Sequence, residues 1–178
     1  MAATCHRPEN AMLSRIAPLT LLTLAFSATA LAAPAAAPVA QRADVTLALA
    51  NQLLDTTLAT CHALGQTAVA AVVDRGGNLV AVQRDDNVGP HNTLAAQRKA
   101  FTALSTKTAT STLAERARSN PDAANLTTVS ELLLLGGGLP LRVGDQVIGA
   151  IGVAGAGGSA NDEGCAQKAI TQHLPTQP

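Results

Sequence analysis

Polar chemistry is densest in one stretch, Arg84 to Lys99 (RDDNVGPHNTLAAQRK), where Arg84, Asp85, Asp86, His91, Arg98 and Lys99 fall within sixteen residues. Guanidinium and ammonium groups pair with carboxylates and phosphates, and Arg does so through a planar fork. His91 follows Gly89-Pro90 and precedes a helix start capped by Asn92. The positive end of a helix dipole disfavours imidazolium there, leaving an uncharged ring able to ligate zinc or haem iron. The competing reading is a solvated loop whose histidine bonds to the backbone. A metal held by Asp85, Asp86 and His91 would require the loop to fold back on itself.

Other catalytic signatures fail on inspection. Gly155-x-Gly157-x-x-Ala160 has the outline of a dinucleotide fingerprint, but no second parallel strand with its acidic residue follows in the 18 residues after Ala160. Gly136-Gly137-Gly138 lacks the Lys and Ser/Thr of a phosphate-binding loop. Gly157-Gly158-Ser159-Ala160-Asn161 breaks the nucleophile-elbow pattern at its last position, which leaves Ser159 as a helix cap. Cys61-His62 lacks the first cysteine of a covalent haem attachment motif. His62 and His173 lie near helix ends and are weaker ligands than His91.

Composition narrows the classes further. Lys+Arg and Asp+Glu number 12 each in 178 residues, with no Trp or Tyr, so a nucleic-acid surface is not expected. Apolar content of 47% with 13% charge suits a folded domain with a modest core. At the start, Arg7 and Arg15 precede the apolar run Ile16 to Phe26, and Ala30-Leu31-Ala32 offers a small-x-small cleavage site. Residues 1–32 therefore read as a secretory signal, with Met1 or Met12 as start, and the run is too short for a membrane span. Residues 33–43 read as an Ala/Pro-rich leader, 44–174 as one domain and 175–178 as a tail. The localisation expected is periplasmic or secreted.

The elements that must position the polar stretch follow from periodicity. Leu47, Ala50, Leu54, Leu58 and Cys61 share a helical face after a cap at Asp44 and before Gly65. Residues 67–74 and 78–84 form a hairpin around Arg75-Gly76-Gly77. A helix then carries Leu94, Arg98, Phe101 and Leu104, and a short one spans 112–118. Strands are expected at 132–135, 139–143 and 147–154, separated by glycine turns. Along the last, Ile148, Ala150, Gly152 and Ala154 make a face that shrinks to small residues, so a helix can lie close. Ser159 and Asp162 give a capping signal for a terminal helix bearing Cys165, Ala169 and Ile170. Cys61 and Cys165 both point inward and could bridge in an oxidising compartment, or pack as two thiols. The expected class is an α+β sandwich on a mostly antiparallel, five-stranded sheet.

In order and spacing, Val72-Val73-Asp74-Arg75-Gly76-Gly77-Asn78-Leu79, Gln83-Arg84-Asp85-Asp86, Gly89-Pro90-His91 and Arg98-Lys99-Ala100-Phe101-Thr102-Ala103 resemble the GlcG/HbpS haem-binding protein family. Gly137-Gly138-Leu139-Pro140-Leu141, Gln146 to Val153 and Asp162-Glu163 extend the resemblance from about Ala43 to Ile170. It implies a profilin-like three-layer α/β/α domain related to the PduO C-terminal domain and usually homo-oligomeric. It also implies binding of haem or a breakdown product in some members. Asp74, Gly76 and Gly77 match the family's hairpin turn. Arg84, His91, Arg98, Lys99 and Thr110 match positions around the implied pocket, with Arg98 or Lys99 suited to propionates. His91 as axial ligand comes from its chemistry, not from the family, and Asn87 and Ala154 depart from the usual Gly and Ser.

The function expected is reversible binding of haem or a related tetrapyrrole by an exported protein. The alternatives are an enzyme acting on a small organic acid and an oligomeric sensor or interaction module. With Phe101 as the one aromatic residue beyond the signal, a surface or intersubunit site suits haem better than a deep pocket.

Overall fold

A computed structural model describes residues 39–175; the expected secretory signal and most of the expected leader and tail lie outside them. Residues 39–43 are exposed and without regular structure. Helix α1 (Leu47–Ala63) begins at Thr46, whose side chain accepts from Leu49 N–H. Asp44, the cap read from sequence, instead bonds Val45 and Arg75 N–H through Oδ1. The helix ends in a Schellman turn: Gln66 N–H returns to the Cys61 carbonyl and Gly65 N–H to that of His62, with Gly65 at φ 69°. Ala50, Leu53, Leu54, Thr57 and Cys61 form its buried face, and Leu47 stays outside.

Strands β1 (Val69–Asp74) and β2 (Leu79–Arg84) form the hairpin. Its turn is organised by Asp74, whose Oδ1 accepts from the N–H groups of Gly76 and Asn78 at 2.8 Å each. Gly77 needs its φ of 85°, and a Cβ there would lie 2.9 Å from the Phe101 ring. Helices α2 (His91–Thr106) and α3 (Thr110–Ser119) follow, then the short α4 (Pro121–Ala124) and a 3-10 turn at Asn125–Thr128. Helix α2 has no side-chain cap, so Asn92 is not the cap expected of it. Strands β3 (Gly138–Val143) and β4 (Gln146–Ala154) and helix α5 (Ser159–His173) complete the order.

The sheet runs β2-β1-β4-β3 with every neighbouring pair antiparallel. It has four strands, not the five expected, because residues 132–135 make no ladder. Side chains satisfy that segment instead. Thr102 Oγ1 accepts from Leu133 N–H, Arg98 donates to the Leu132 carbonyl, and Thr110 Oγ1 donates to that of Leu135. A run of four leucines looks like a strand by propensity, but once its polar backbone groups are met by two helices it needs no sheet partner.

Helices cover both faces of the sheet. Ala70, Val72, Ile151 and Val153 pack in one core with Leu53, Leu54, Cys61, Cys165 and Ala169 of α1 and α5. Val69, Ala71, Val73, Ala150 and Ala154 turn to the other face, against Ala96, Ala100 and Ala103 of α2. Gly152 sets how close α2 lies: a Cβ on it would collide with the Ala96 carbonyl oxygen and lie 2.5 Å from Ala100 N. The small-residue face thus receives a helix, as its pattern predicts, except at Ile148. There the β3–β4 register slips, Leu141 pairing with Gly149 and Arg142 with Val147, and Ile148 joins the α1–α5 core.

Cys61 and Cys165 join those two helices, with sulfurs 2.16 Å and Cα atoms 5.5 Å apart. At the start of α5 the capping signal is not used. Gly158 is the N-cap and Ser159 the first helical residue, while Asp162 turns inward to accept from Ala156 N–H and Lys99. Among the described residues no helix is long and apolar enough to cross a membrane.

Candidate functional site

Because the sheet face meeting α2 is built of Ala and Gly, α2 buries its small residues and turns its large ones outward. Leu94 is 61% exposed, and Gln97, Arg98 and Phe101 lie along the same outer flank. The helix covers β4 and β1 and leaves the edge strand β2 open. Leu79 pairs with Val73, Val82 with Ala71 and Arg84 with Val69, so all three point to the α2 side, where Leu79 and Val82 are exposed. The result is a groove between β2 and α2 with a cavity of 280 Å³, lined by Val73, Leu79, Leu94, Arg98, Phe101 and Glu131 among others. Phe101 closes one end over Gly77.

Of the basic and imidazole groups, Arg98 lines this groove, while Arg84 and His91 stand where β2 ends and α2 begins. Arg98 Nη2 donates to the carbonyls of Ser130 and Leu132 at 2.7 and 2.8 Å, which fixes the guanidinium at the groove wall while its Nη1 and Nε make no bond among the described residues. Arg84 ends β2 and holds the following loop by donating from Nη2 to the Val88 carbonyl. His91 opens α2 and is exposed, its ring making no hydrogen bond among the described residues. His91, Leu94 and Arg98 recur at i, i+3 and i+7, so they share one helical stripe, with His91 and Arg98 about 10.5 Å apart along the axis.

Two residues expected with them serve the interior instead. Lys99 is buried, and its ammonium donates to the Val153 carbonyl and to Asp162 Oδ2, both at 2.8 Å, so it cannot reach a propionate. Thr110 is also buried, its hydroxyl accepting from Gly138 N–H and donating to the Leu135 carbonyl. The three-ligand metal reading fails as well, because Asp85 turns to α1, where both its oxygens lie 2.9 Å from His62 Nε2 and one accepts from Ala68 N–H. Among the described residues no group of three His, Cys, Asp or Glu side chains is placed to hold a metal.

The apolar side of the groove, Leu79 and Leu94, with Val82 further along the same face of β2, is not among the site residues expected from sequence. The signal was present: the large residues of α2 and the Ala/Gly face of β4 cannot both be core, since small packs on small and leaves the large ones outside.

Asp74 is the described residue whose acidity is clearly altered. Burial works to raise its pKa, but hydrogen bonds from the Asn78 side chain and from the Asn78, Gly76 and Gly77 backbone outweigh it and hold the carboxyl below the usual range. It belongs to the hairpin turn, not to the groove.

A four-stranded antiparallel sheet between helical layers, with an open apolar edge, places the chain among small α+β sandwich domains. Residues 45–171 match the family described as haem degrading protein HbpS-like, and the chain belongs to that family. An uncharacterized 15.0 kDa protein of Citrobacter freundii is 32% identical over 119 residues, covering 65% of this chain and 82% of that protein. Protein GlcG of Escherichia coli K12 is 37% identical over 84 residues, 47% of this chain and 61% of GlcG. Among solved structures, a double mutant of Streptomyces reticuli HbpS superposes with a TM-score of 0.70 at 36% identity, covering 78% of this chain and 98% of that one. Klebsiella pneumoniae ORFY gives 0.71 at 31%, covering 75% and 92%. A PduOC:heme complex gives 0.65 at 26%, covering 72% and 94%.

Proposed function

We propose that this protein binds haem or a related tetrapyrrole reversibly in the groove between β2 and α2. The observation that carries the reading is the uncovered apolar surface of Leu79 and Leu94 beside Arg98, with exposed Val82 further along the same face of β2 and His91 two helical turns from Arg98 on α2. An apolar macrocycle with one polar edge needs a greasy floor and a cation for its propionates, and Arg98 keeps N–H groups free for that pairing. His91 supplies an exposed imidazole at the distance of two helical turns. Haem, when bound, supplies an iron centre and an apolar plane; the chain's own residues orient it and shield one face. The HbpS-like family and the haem complex of a structural relative support the ligand class.

The cavity of 280 Å³ falls just under the range of about 300 to 1,000 Å³ typical of enclosed ligand sites. The tetrapyrrole therefore lies against the surface with one face outward, and a second copy of the chain is the cover we propose for it. We read the helical layers around the sheet as profilin-like, which the superposition on HbpS is consistent with. An exported location is supported by the N-terminal apolar run and by the joining of Cys61 to Cys165.

Titrating hemin into the full protein tests the assignment. A saturable Soret shift that weakens or moves in His91→Ala is the expected result. A spectrum unchanged by the protein would refute it.

A further inference from the structure

A second cavity, of 360 Å³, adjoins the groove at Phe101, the residue that lines both. Its volume falls within the range of about 300 to 1,000 Å³ typical of small-ligand sites. Three cations from three separate segments line it: Arg42 before α1, Arg75 in the hairpin turn and Lys107 at the end of α2. Phe101, Leu104 and Val147 supply an apolar wall.

No carboxylate lines the cavity to balance these charges. Asp44, Asp74 and Asp145 flank the same segments in sequence, but Asp44 and Asp74 each turn an oxygen to backbone N–H groups of the hairpin, and no ion pair among the described residues involves Arg42, Arg75 or Lys107. Like charges around one space repel each other, and an anion between them turns that repulsion into attraction.

The chain holds the cations there. Arg75 N–H donates to Asp44 Oδ1 at 3.0 Å and its Nη1 to the Ala43 carbonyl at 3.3 Å, which ties the segment carrying Arg42 to the hairpin. Its Nε and Nη2 make no bond among the described residues. Lys107 stands at φ 52°, a left-handed conformation that favours Gly or Asn, and its carbonyl accepts from Arg142 Nη2 at 2.7 Å. A helix C-terminus welcomes a cation, yet any position of the last turn would meet that demand without the backbone cost. A lysine kept at a position that disfavours it points to a task for its ammonium.

We propose that this cavity binds a small phosphorylated molecule with an apolar body, its phosphoryl group between Arg42, Arg75 and Lys107 and its body against Phe101, Leu104 and Val147. A phosphomonoester carries close to two negative charges at neutral pH and three acceptor oxygens, which suits three cations better than the single charge of a carboxylate does. The Nε and Nη2 edge of Arg75 has the fork geometry for two of those oxygens.

Calorimetric titration of the full protein with phenyl phosphate and butyl phosphate tests this, with inorganic phosphate and phenol as half-ligands. At least one ester binds saturably with a Kd on the order of 1 mM or below, each half-ligand binds about tenfold more weakly or worse, and added salt weakens the ester. Lys107→Asn suits the left-handed backbone and Arg42→Gln lies in an exposed segment, so the double variant folds; it lowers the affinity about tenfold or more. Absence of saturable binding by both esters overturns the proposal. So does binding unchanged in the double variant, or either half-ligand binding as tightly as the better ester.

Discussion

Lys99 Nζ donates to Asp162 Oδ2 at 2.8 Å, with the two side chains only 2% and 6% exposed. The contact ties α2 to α5 past the end of β4, whose Val153 carbonyl takes a second bond from the same ammonium. Asp162 in turn holds Ala156 N–H through Oδ1. A buried charge left alone is far worse than a buried pair. Lys99→Met and Asp162→Leu should therefore each destabilise by about 3 to 5 kcal/mol, and the double variant by much less than their sum. Urea denaturation of the four proteins gives the answer; additive losses would mean that the pair is not coupled.

The joined Cys61 and Cys165 close a sequence separation of 104 residues. Bridging so long a loop contributes about 4 to 5 kcal/mol on the chain-entropy account. Intact mass under non-reducing conditions should show both thiols absent. The Cys61→Ala, Cys165→Ala protein should lose about 2 to 5 kcal/mol of stability and keep its groove.

Gly152 lies under the backbone of α2, in contact with Ala96 and Ala100. Gly152→Ala forces the helix off the sheet and should cost about 1 to 3 kcal/mol or more, as overpacking does. Gly164→Ala, on the open side of α5, should stabilise by up to about 1 kcal/mol. Thermal melts of the two variants in one buffer compare them directly.

Asp74 carries the acid dependence of the hairpin. Its folded pKa lies below the unfolded value, so its stabilisation is fully present above about pH 4 and is lost as pH falls through the folded value. Asp74→Asn should lower stability at neutral pH and narrow its gap to the parent protein as the solution is acidified below that point. A gap that stays constant down to the acid transition would assign the turn's stability elsewhere.

Much of the fold was legible because it is written in local periodicity. The Ala50, Leu54 and Cys61 face of α1, the glycine hairpin and the narrowing face of β4 each appear in the structure. The caps were less legible, because Thr46 and Gly158 displaced Asp44 and Ser159 within one or two positions and several polar residues there compete for the same N–H groups. The 132–135 segment was misread because its partners, Thr102, Arg98 and Thr110, lie far away in sequence. Lys99 misled for the same reason: a lysine beside an arginine on an amphipathic helix looks solvent-facing until Asp162, 63 residues on, is seen to hold it. Of the expected site residues Arg98 lines the groove, and the apolar Leu79 and Leu94 beside it were hinted at by small-on-small packing but hard to place, because their exposure depends on α2 leaving β2 bare.

A tetrapyrrole seat between β2 and α2 depends on that apolar surface. Hemin affinity of Leu94→Glu against the parent, with Gly164→Ala on α5 as a control away from the groove, tests it most directly. A carboxylate placed among Leu79, Val82 and Arg98 should weaken binding about tenfold or more, with the control unchanged. Equal affinity in Leu94→Glu and the parent would contradict a tetrapyrrole seat between β2 and α2.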